Sequence, residues 1–163
     1  MGSIGSLVIV VIGKDRSIAP LNGDMVGVHL PVNDKQVGGI ENKFELSMAN
    51  LYVHEDYMFF VFDLKNNSYI DYDIEFVKCF ERDQKKRKNA IQQETTIEPI
   101  YQDEFNTKIK GKGSNRLVLG FNKFTIPDDK VFEIELYEKN GGRHMKLAVL
   151  NEYILSAEPL YKF

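Results

Sequence analysis

An all-β chain folded as an immunoglobulin-like antiparallel β-sandwich is predicted by three observations. Short apolar stretches alternate with period two, turn signals recur about every ten residues, and no convincing long helix is present. The aromatic supply, 11 Phe and 8 Tyr without Trp, lies in segments that also hold Val and Ile, the residue types favoured on a pleated surface. At 163 residues and 43% hydrophobic content, the chain can bury roughly 70% of its unfolded surface around one core.

Taken in order, residues 1–45 read as an N-terminal arm or partial domain, and residues 46–163 as the sandwich. Met1-Gly2-Ser3 with Gly5-Ser6 resembles an appended leader. The apolar run Leu7 to Ile12 is too short for a membrane span and lacks a basic flank, so it predicts a strand, as does Met25 to Leu30. Val32 to Gly39, with Asn33-Asp34 and Gly38-Gly39, reads as a linker or long loop. Leu51 and Val53 begin a strand that turns at His54-Glu55-Asp56, and Tyr57 to Leu64 is apolar on both faces, as expected for a central strand.

Lys65 to Ser68 is a turn. Tyr69 to Glu81 then alternates, with Tyr72, Ile74 and Phe76 assigned to the core face and Asp71, Asp73 and Glu75 to the opposite one. After a basic tip at Asp83 to Asn89, Ala90 to Tyr101 returns as a strand that Pro99 marks as an edge or a bulge. The alternative over Gln84 to Glu94 is a short helix, since Lys, Arg, Gln and Ala tolerate one. Gln102 to Ser114 is loop-like and Asn115 to Phe121 a strand. Pro127-Asp128-Asp129 predicts a type I turn with Pro at its second position, and Tyr153 to Leu160 is a last short strand or tail.

The clearest segment is Phe121 to Leu150. Phe132, Ile134 and Leu136 share one face of a strand, and Met145, Leu147 and Val149 one face of the next. Asn140-Gly141 between them fits a two-residue type I′ turn, which needs φ > 0 at both positions. That register sets Leu136 opposite Met145, Ile134 opposite Leu147 and Phe132 opposite Val149. It also places Glu135 across from Lys146 and Glu138 across from Arg143, pairs worth roughly 0.2–1 kcal/mol each. A turn at Gly141-Gly142 would keep the faces and lose the charge pairs.

Tyr72-Asp73-Ile74-Glu75-Phe76, the polar Glu81 to Lys86 tip, Phe124-Thr125-Ile126-Pro127-Asp128, and Tyr137-Glu138-Lys139-Asn140-Gly141-Gly142-Arg143-His144 occur in this order and spacing. Together, over about Ala49 to Ala157, they resemble the C-terminal domain of the TraN proteins of Bacteroides-type conjugative transposons. The resemblance implies a non-enzymatic component of a conjugation apparatus related to type IV secretion. It would sit in the cell envelope, periplasmic or associated with the outer membrane, among other conjugation-machinery proteins. By fold-level analogy such proteins are similar to the CagX/TrbG class, whose C-terminal sandwich contacts partner proteins. TraN proteins also carry a signal peptide and a longer N-terminal domain, a pattern that residues 1 to 45 do not match.

The chemistry is otherwise sparse. A formal net charge of −3 gives no broad basic face, so no direct nucleic-acid partner is expected. Cys79 is the lone cysteine, which excludes an intrachain disulfide and a cysteine zinc cluster. His29, His54 and His144 lie on separate segments without ligand spacing, and His144, opposite Tyr137, reads as a cross-strand packing residue. No metal or cofactor is expected. Gly111-Lys112-Gly113-Ser114 mimics part of a phosphate loop but leads into a strand. Asn66-Asn67-Ser68 matches a glycosylation sequon within a turn.

Two partner-binding candidates emerge: the basic tip Lys85, Lys86, Arg87 and Lys88, and the turn Asn140, Gly141, Gly142, Arg143 and His144. Both would serve a structural module that joins partners through exposed strand edges or loop tips. The competing reading is a secreted carbohydrate-active or ligand-binding sandwich using Asp71, Asp73 and Glu75 as a carboxylate or calcium group.

Overall fold

The structure is a computed structural model that describes residues 9–12, 17–20, 28–29, 37–84, 91, 93–102 and 107–160. Three short strands, β1 (Ile9–Ile12), β2 (Ser17–Pro20) and β3 (Val28–His29), pair in that order as an antiparallel sheet. The remaining strands build the expected all-β sandwich.

The first sandwich sheet starts at β4 (Val37–Glu41), which pairs with β5 (Phe44–His54). The linker expected over residues 32 to 39 therefore gives way to strand at Val37. Asn42 and Lys43 join the two strands with φ of 54° and 59°, which is the two-residue turn of primed type that matches strand twist. A lysine in the left-handed region is strained. Lys43→Gly is expected to relieve that strain and stabilise the fold by about 0.5–1 kcal/mol, read as a rise of a few degrees in Tm.

The hairpin of β5 with β6 (Tyr57–Asn66) turns at Glu55, φ 54°. β7 (Tyr72–Asp83) then crosses to the second sheet, where β8 (Glu94–Thr96) returns along it through residues 80 to 82. Of the strand expected to return over Ala90 to Tyr101, Glu94–Thr96 pairs with β7, while Tyr101 pairs in the other sheet. Lys85 to Lys88, and most of the alternative helix over residues 84 to 94, lie outside the described residues. Next, β9 (Tyr101–Gln102) belongs to the first sheet, so Pro99 sits where the chain passes from one sheet edge to the other. β10 (Lys108–Ile109) pairs with β7, a short edge strand within a segment read as loop, and β11 (Ser114–Asn122) pairs with β6. β12 (Lys130–Glu138) and β13 (Met145–Leu150) complete the second sheet. A single helical turn, α1 (Asn151–Ile154), precedes β14 (Glu158–Pro159), which lies parallel to β5.

The first sheet runs β14-β5-β6-β11-β9, with β4 also on β5; the second runs β10-β7-β12-β13, with β8 also on β7. Consecutive β6 and β7 are thus neighbours of consecutive β11 and β12 in opposite sheets. This arrangement locks the two layers together, because neither pair can leave without the other. Between them Phe60 stacks on Phe132 at 4.7 Å and meets Phe121 edge-on at 5.4 Å, contacts worth about 0.5–1.5 kcal/mol each beyond area burial. β6 is apolar on both faces, as expected: Met58, Phe60, Phe62 and Leu64 enter the main core. Phe59 and Val61 form an outer cluster with Ala49, Tyr52 and Val118, against which Tyr101 and Leu160 pack.

Two β-bulges break the alternation. One between Met48 and Asn50 lets Phe44, Leu46 and Met48 face the core before it and Leu51 after it. The other falls on β7, where Tyr137 pairs with Phe76 but Glu138 pairs with Ile74. The extra residue, Glu75, shifts the phase. Tyr72 and Ile74 face the core, as expected, but so does Cys79, whereas Phe76 is turned out and is 37% exposed. The turn at Pro127 also differs from expectation, since Lys130 N donates to Pro127 O, putting Pro first.

Candidate loop-end interaction site

The β12–β13 register is the one the sequence predicts: Leu136 with Met145, Ile134 with Leu147, Phe132 with Val149 and Glu135 with Lys146. The turn is not. Asn140 has φ 54°, but Gly141 does not adopt a left-handed φ, so the two-residue type I′ turn is replaced by a wider loop over residues 139 to 144. Lys139 N leaves the hairpin to donate to Asp73 O at 2.8 Å, and His144 N donates to Gly142 O at 3.1 Å. Gly141 serves a different purpose from the one its sequence context suggests: a side chain there would overlap the Glu138 carboxylate.

That carboxylate faces Arg143. The Arg143 guanidinium donates to Glu138 Oε1 at 2.7 Å, to Ser68 Oγ at 2.9 Å, and to the carbonyls of Asp71 and Ile70 at 3.0 and 3.3 Å. Its own amide donates to Glu138 Oε2 at 2.9 Å. The Arg143 hydrogen bonds hold the Glu138 carboxyl below the usual carboxylate range. Tyr72 OH donates to Arg143 O at 2.7 Å, and the guanidinium lies 5.2 Å from the Tyr72 ring. Burial foremost, with Glu138 adding to it, raises the Tyr72 phenol well above its ordinary value. Arg143, one of the partner-contact candidates of this turn, has its side chain engaged as a brace within the fold.

Asn66 supplies the second brace. It is fully buried, and its Nδ2 donates to Ile70 O at 2.7 Å and Ile109 O at 3.1 Å. The sequon asparagine therefore points inward and holds three chain segments together. Lys112 (φ 61°) tightens the 110 to 113 turn, its amide donating to Ser68 O at 2.8 Å, so Gly111-Lys112-Gly113 is a tight turn between strands.

A second polar cluster lies on the outer face of the β7–β12–β13 sheet. Glu135, 3% exposed, accepts from Arg82 at 2.6 Å and from Tyr137 OH at 2.5 Å, with Lys146 Nζ at 3.3 Å. Arg82 also pairs with Glu133, and with Glu94 at 2.8 Å, while its guanidinium sits 4.0 Å over the Phe80 ring. Beside this network Phe76, Tyr137 and His144 form a row, with ring centroids 4.5 and 4.9 Å apart, and Lys78 Nζ lies 5.1 Å from Phe76. The cross-strand contact of His144 with Tyr137 is thus present as predicted, but Phe76 in this row escaped the sequence reading, because the bulge that exposes it leaves no mark on residue type.

The carboxylates of the competing reading do not converge. Asp71 Oδ1 accepts from Gly111 N at 2.8 Å, Asp73 pairs with Lys108 at 3.7 Å, and Glu75 is the exposed bulge residue. Among the described residues no three His, Cys, Asp or Glu side chains are grouped to hold a metal, and no helix is long and apolar enough to cross a membrane. Cys79 is buried, and burial, with Glu98 nearby, pushes its thiol up to about 12, so almost none of it is thiolate at neutral pH.

Fold and site together define an all-β sandwich whose charged side chains mostly brace its loops and outer face. The chain belongs to the family described as a domain of unknown function, DUF4138, whose model matches residues 29–159. No curated protein matches the sequence significantly.

Proposed function

We propose that this protein is a non-enzymatic structural component of a conjugative transfer apparatus of type IV secretion kind, resident in the cell envelope, which binds partner proteins of that machinery. The TraN-like strings supply the setting. The observation that supports a docking role is the bulge at Glu75, which moves Phe76 out of the core and into a row with Tyr137 and His144. Bulges commonly re-aim a side chain, and aromatic side chains are the usual anchors of protein interfaces. The row borders the 139 to 144 loop, so Asn140, Gly141, Gly142 and His144 stay in the proposed contact. Arg143 supports it from beneath.

Capture of envelope proteins from a conjugating strain tests the reading. Phe76→Ser combined with His144→Ala should reduce recovery of conjugation proteins at least tenfold, a loss of about 1.4 kcal/mol or more, with the Tm nearly unchanged. Unaltered recovery would remove the row from the interface. Charge reversal of Lys85, Lys86, Arg87 and Lys88 tests the basic tip in the same assay. Genes for conjugation proteins are expected on both sides of this one.

A further inference from the structure

The loop end carries a feature that partner docking on the aromatic row does not use. Tyr69 is 86% and Ile70 72% exposed, although hydrogen bonds and a close backbone contact hold the loop that carries them. The Ile70 carbonyl alone accepts from Asn66 Nδ2 at 2.7 Å, Ser68 Oγ at 3.1 Å and Arg143 at 3.3 Å. Gly111 packs so closely on Tyr69 that a side chain there would overlap the Tyr69 carbonyl. Two large apolar side chains on a locked backbone lose little further entropy on contact, which is the physical condition for an anchor.

Charge identifies the surface that this anchor fits. Asn67 N donates to Lys43 O, Lys112 N donates to Ser68 O, and Lys110 O closes the same turn, so Lys43, Lys110 and Lys112 belong to turns bonded to this loop or adjoining it. All three are exposed, and none has a carboxylate within ion-pairing distance among the described residues. Lys112 Nζ lies 4.7 Å from the Tyr69 ring. Among the nearby acids Asp73 pairs with Lys108, Glu138 with Arg143, and Glu45 with Lys65, while Asp71 accepts from the Gly111 amide and keeps its charge, so the three lysines outnumber the one unpaired carboxylate. A tyrosine and an isoleucine beside Lys112, with Lys43 and Lys110 exposed on adjoining turns, have the chemistry of an anionic lipid interface, where the rings and aliphatic groups enter the headgroup boundary and the amines meet phosphates.

We infer that this end of the sandwich docks on an anionic membrane surface through Tyr69 and Ile70, with Lys43, Lys110 and Lys112 facing the lipid phosphates.

The chain has no tryptophan, so Tyr69→Trp places a single indole reporter at the tip. Its emission should shift to the blue on phosphatidylcholine vesicles containing phosphatidylglycerol, be quenched by brominated acyl chains, and stay unshifted on phosphatidylcholine alone. Replacing Lys43, Lys110 and Lys112 by Gln should weaken vesicle binding about fivefold per lysine, and added salt should weaken it as well. Ile70→Ser should weaken it about tenfold. The Phe76→Ser variant should bind vesicles like the wild type, so failure of the aromatic row and failure of the lipid tip are separable results. Unshifted indole emission from the Tyr69→Trp variant on anionic vesicles overturns the inference. So does vesicle binding that leaves the reporter in water, as attachment through Lys85 to Lys88 would. A shift produced only by lipid-free envelope protein would assign the tip to a protein pocket and overturn it equally.

Discussion

Arg143→Ala is expected to destabilise the sandwich by about 3–4 kcal/mol, as measured by urea unfolding at neutral pH. Only 15% of the Arg143 side chain and 10% of that of Glu138 are accessible. Removing the guanidinium strands a nearly buried carboxylate and deprives Ser68 Oγ and the carbonyls of Ile70 and Asp71 of a donor. Each unsatisfied group adds to the loss. Arg143→Lys restores the charge but not the planar fork that reaches Glu138 and the 68 to 71 loop at once, so about half the loss should remain. In Arg143→Ala, hydrogen exchange should quicken in residues 66 to 72 and 139 to 144 together, because one side chain ties both loops. A loss under about 1 kcal/mol, the level of an exposed pair, would show that the brace is dispensable.

Glu135→Gln should cost about 2–3 kcal/mol at neutral pH and flatten the acid limb of the stability profile. Desolvation by itself would raise this carboxyl, but the Tyr137 and Arg82 hydrogen bonds and the Arg82 charge outweigh it and hold the pKa at about 2, against an unperturbed 4.5. The folded value lies below the unfolded one, so the contribution is complete above about pH 4.5 and is lost as pH falls toward 2. Wild type should therefore lose stability steeply across that window while Glu135→Gln loses much less. Parallel curves for the two proteins would mean that Glu135 is not the titrating group.

The hairpin register was legible because it depends on matched apolar faces: one slipped residue would put Ile134 and Leu147 into solvent. The central position of β6 was legible for a similar reason, since Tyr57 to Leu64 offers apolar residues to both sides. The turn was misread although its register was right. An Asn-Gly pair permits φ > 0 at both positions without compelling it, and the bonds of Glu138 with Arg143 favoured a wider loop. The primed turn formed instead at Asn42-Lys43, where little in the residue types advertises one.

The candidate site divides in the same way. His144 was placed against Tyr137 from the strand register alone, whereas Phe76 was assigned to the core because strict alternation puts it there. The sequence pairs Glu138 with Arg143 across the hairpin; that the pair is a largely buried brace depends on residues 66 to 71, some seventy positions away.

By itself, the sequence determined the all-β sandwich, the pairing of its last hairpin and the apolar residues that seal the two sheets, since burial of a period-two face is a local property of each strand. Only the tertiary structure decided where the two bulges fall, that Arg143 and Asn66 face inward, and that Tyr69 and Ile70 remain outside. Those outcomes depend on which distant carbonyls and carboxylates reach a given side chain, and a linear pattern carries no such distances.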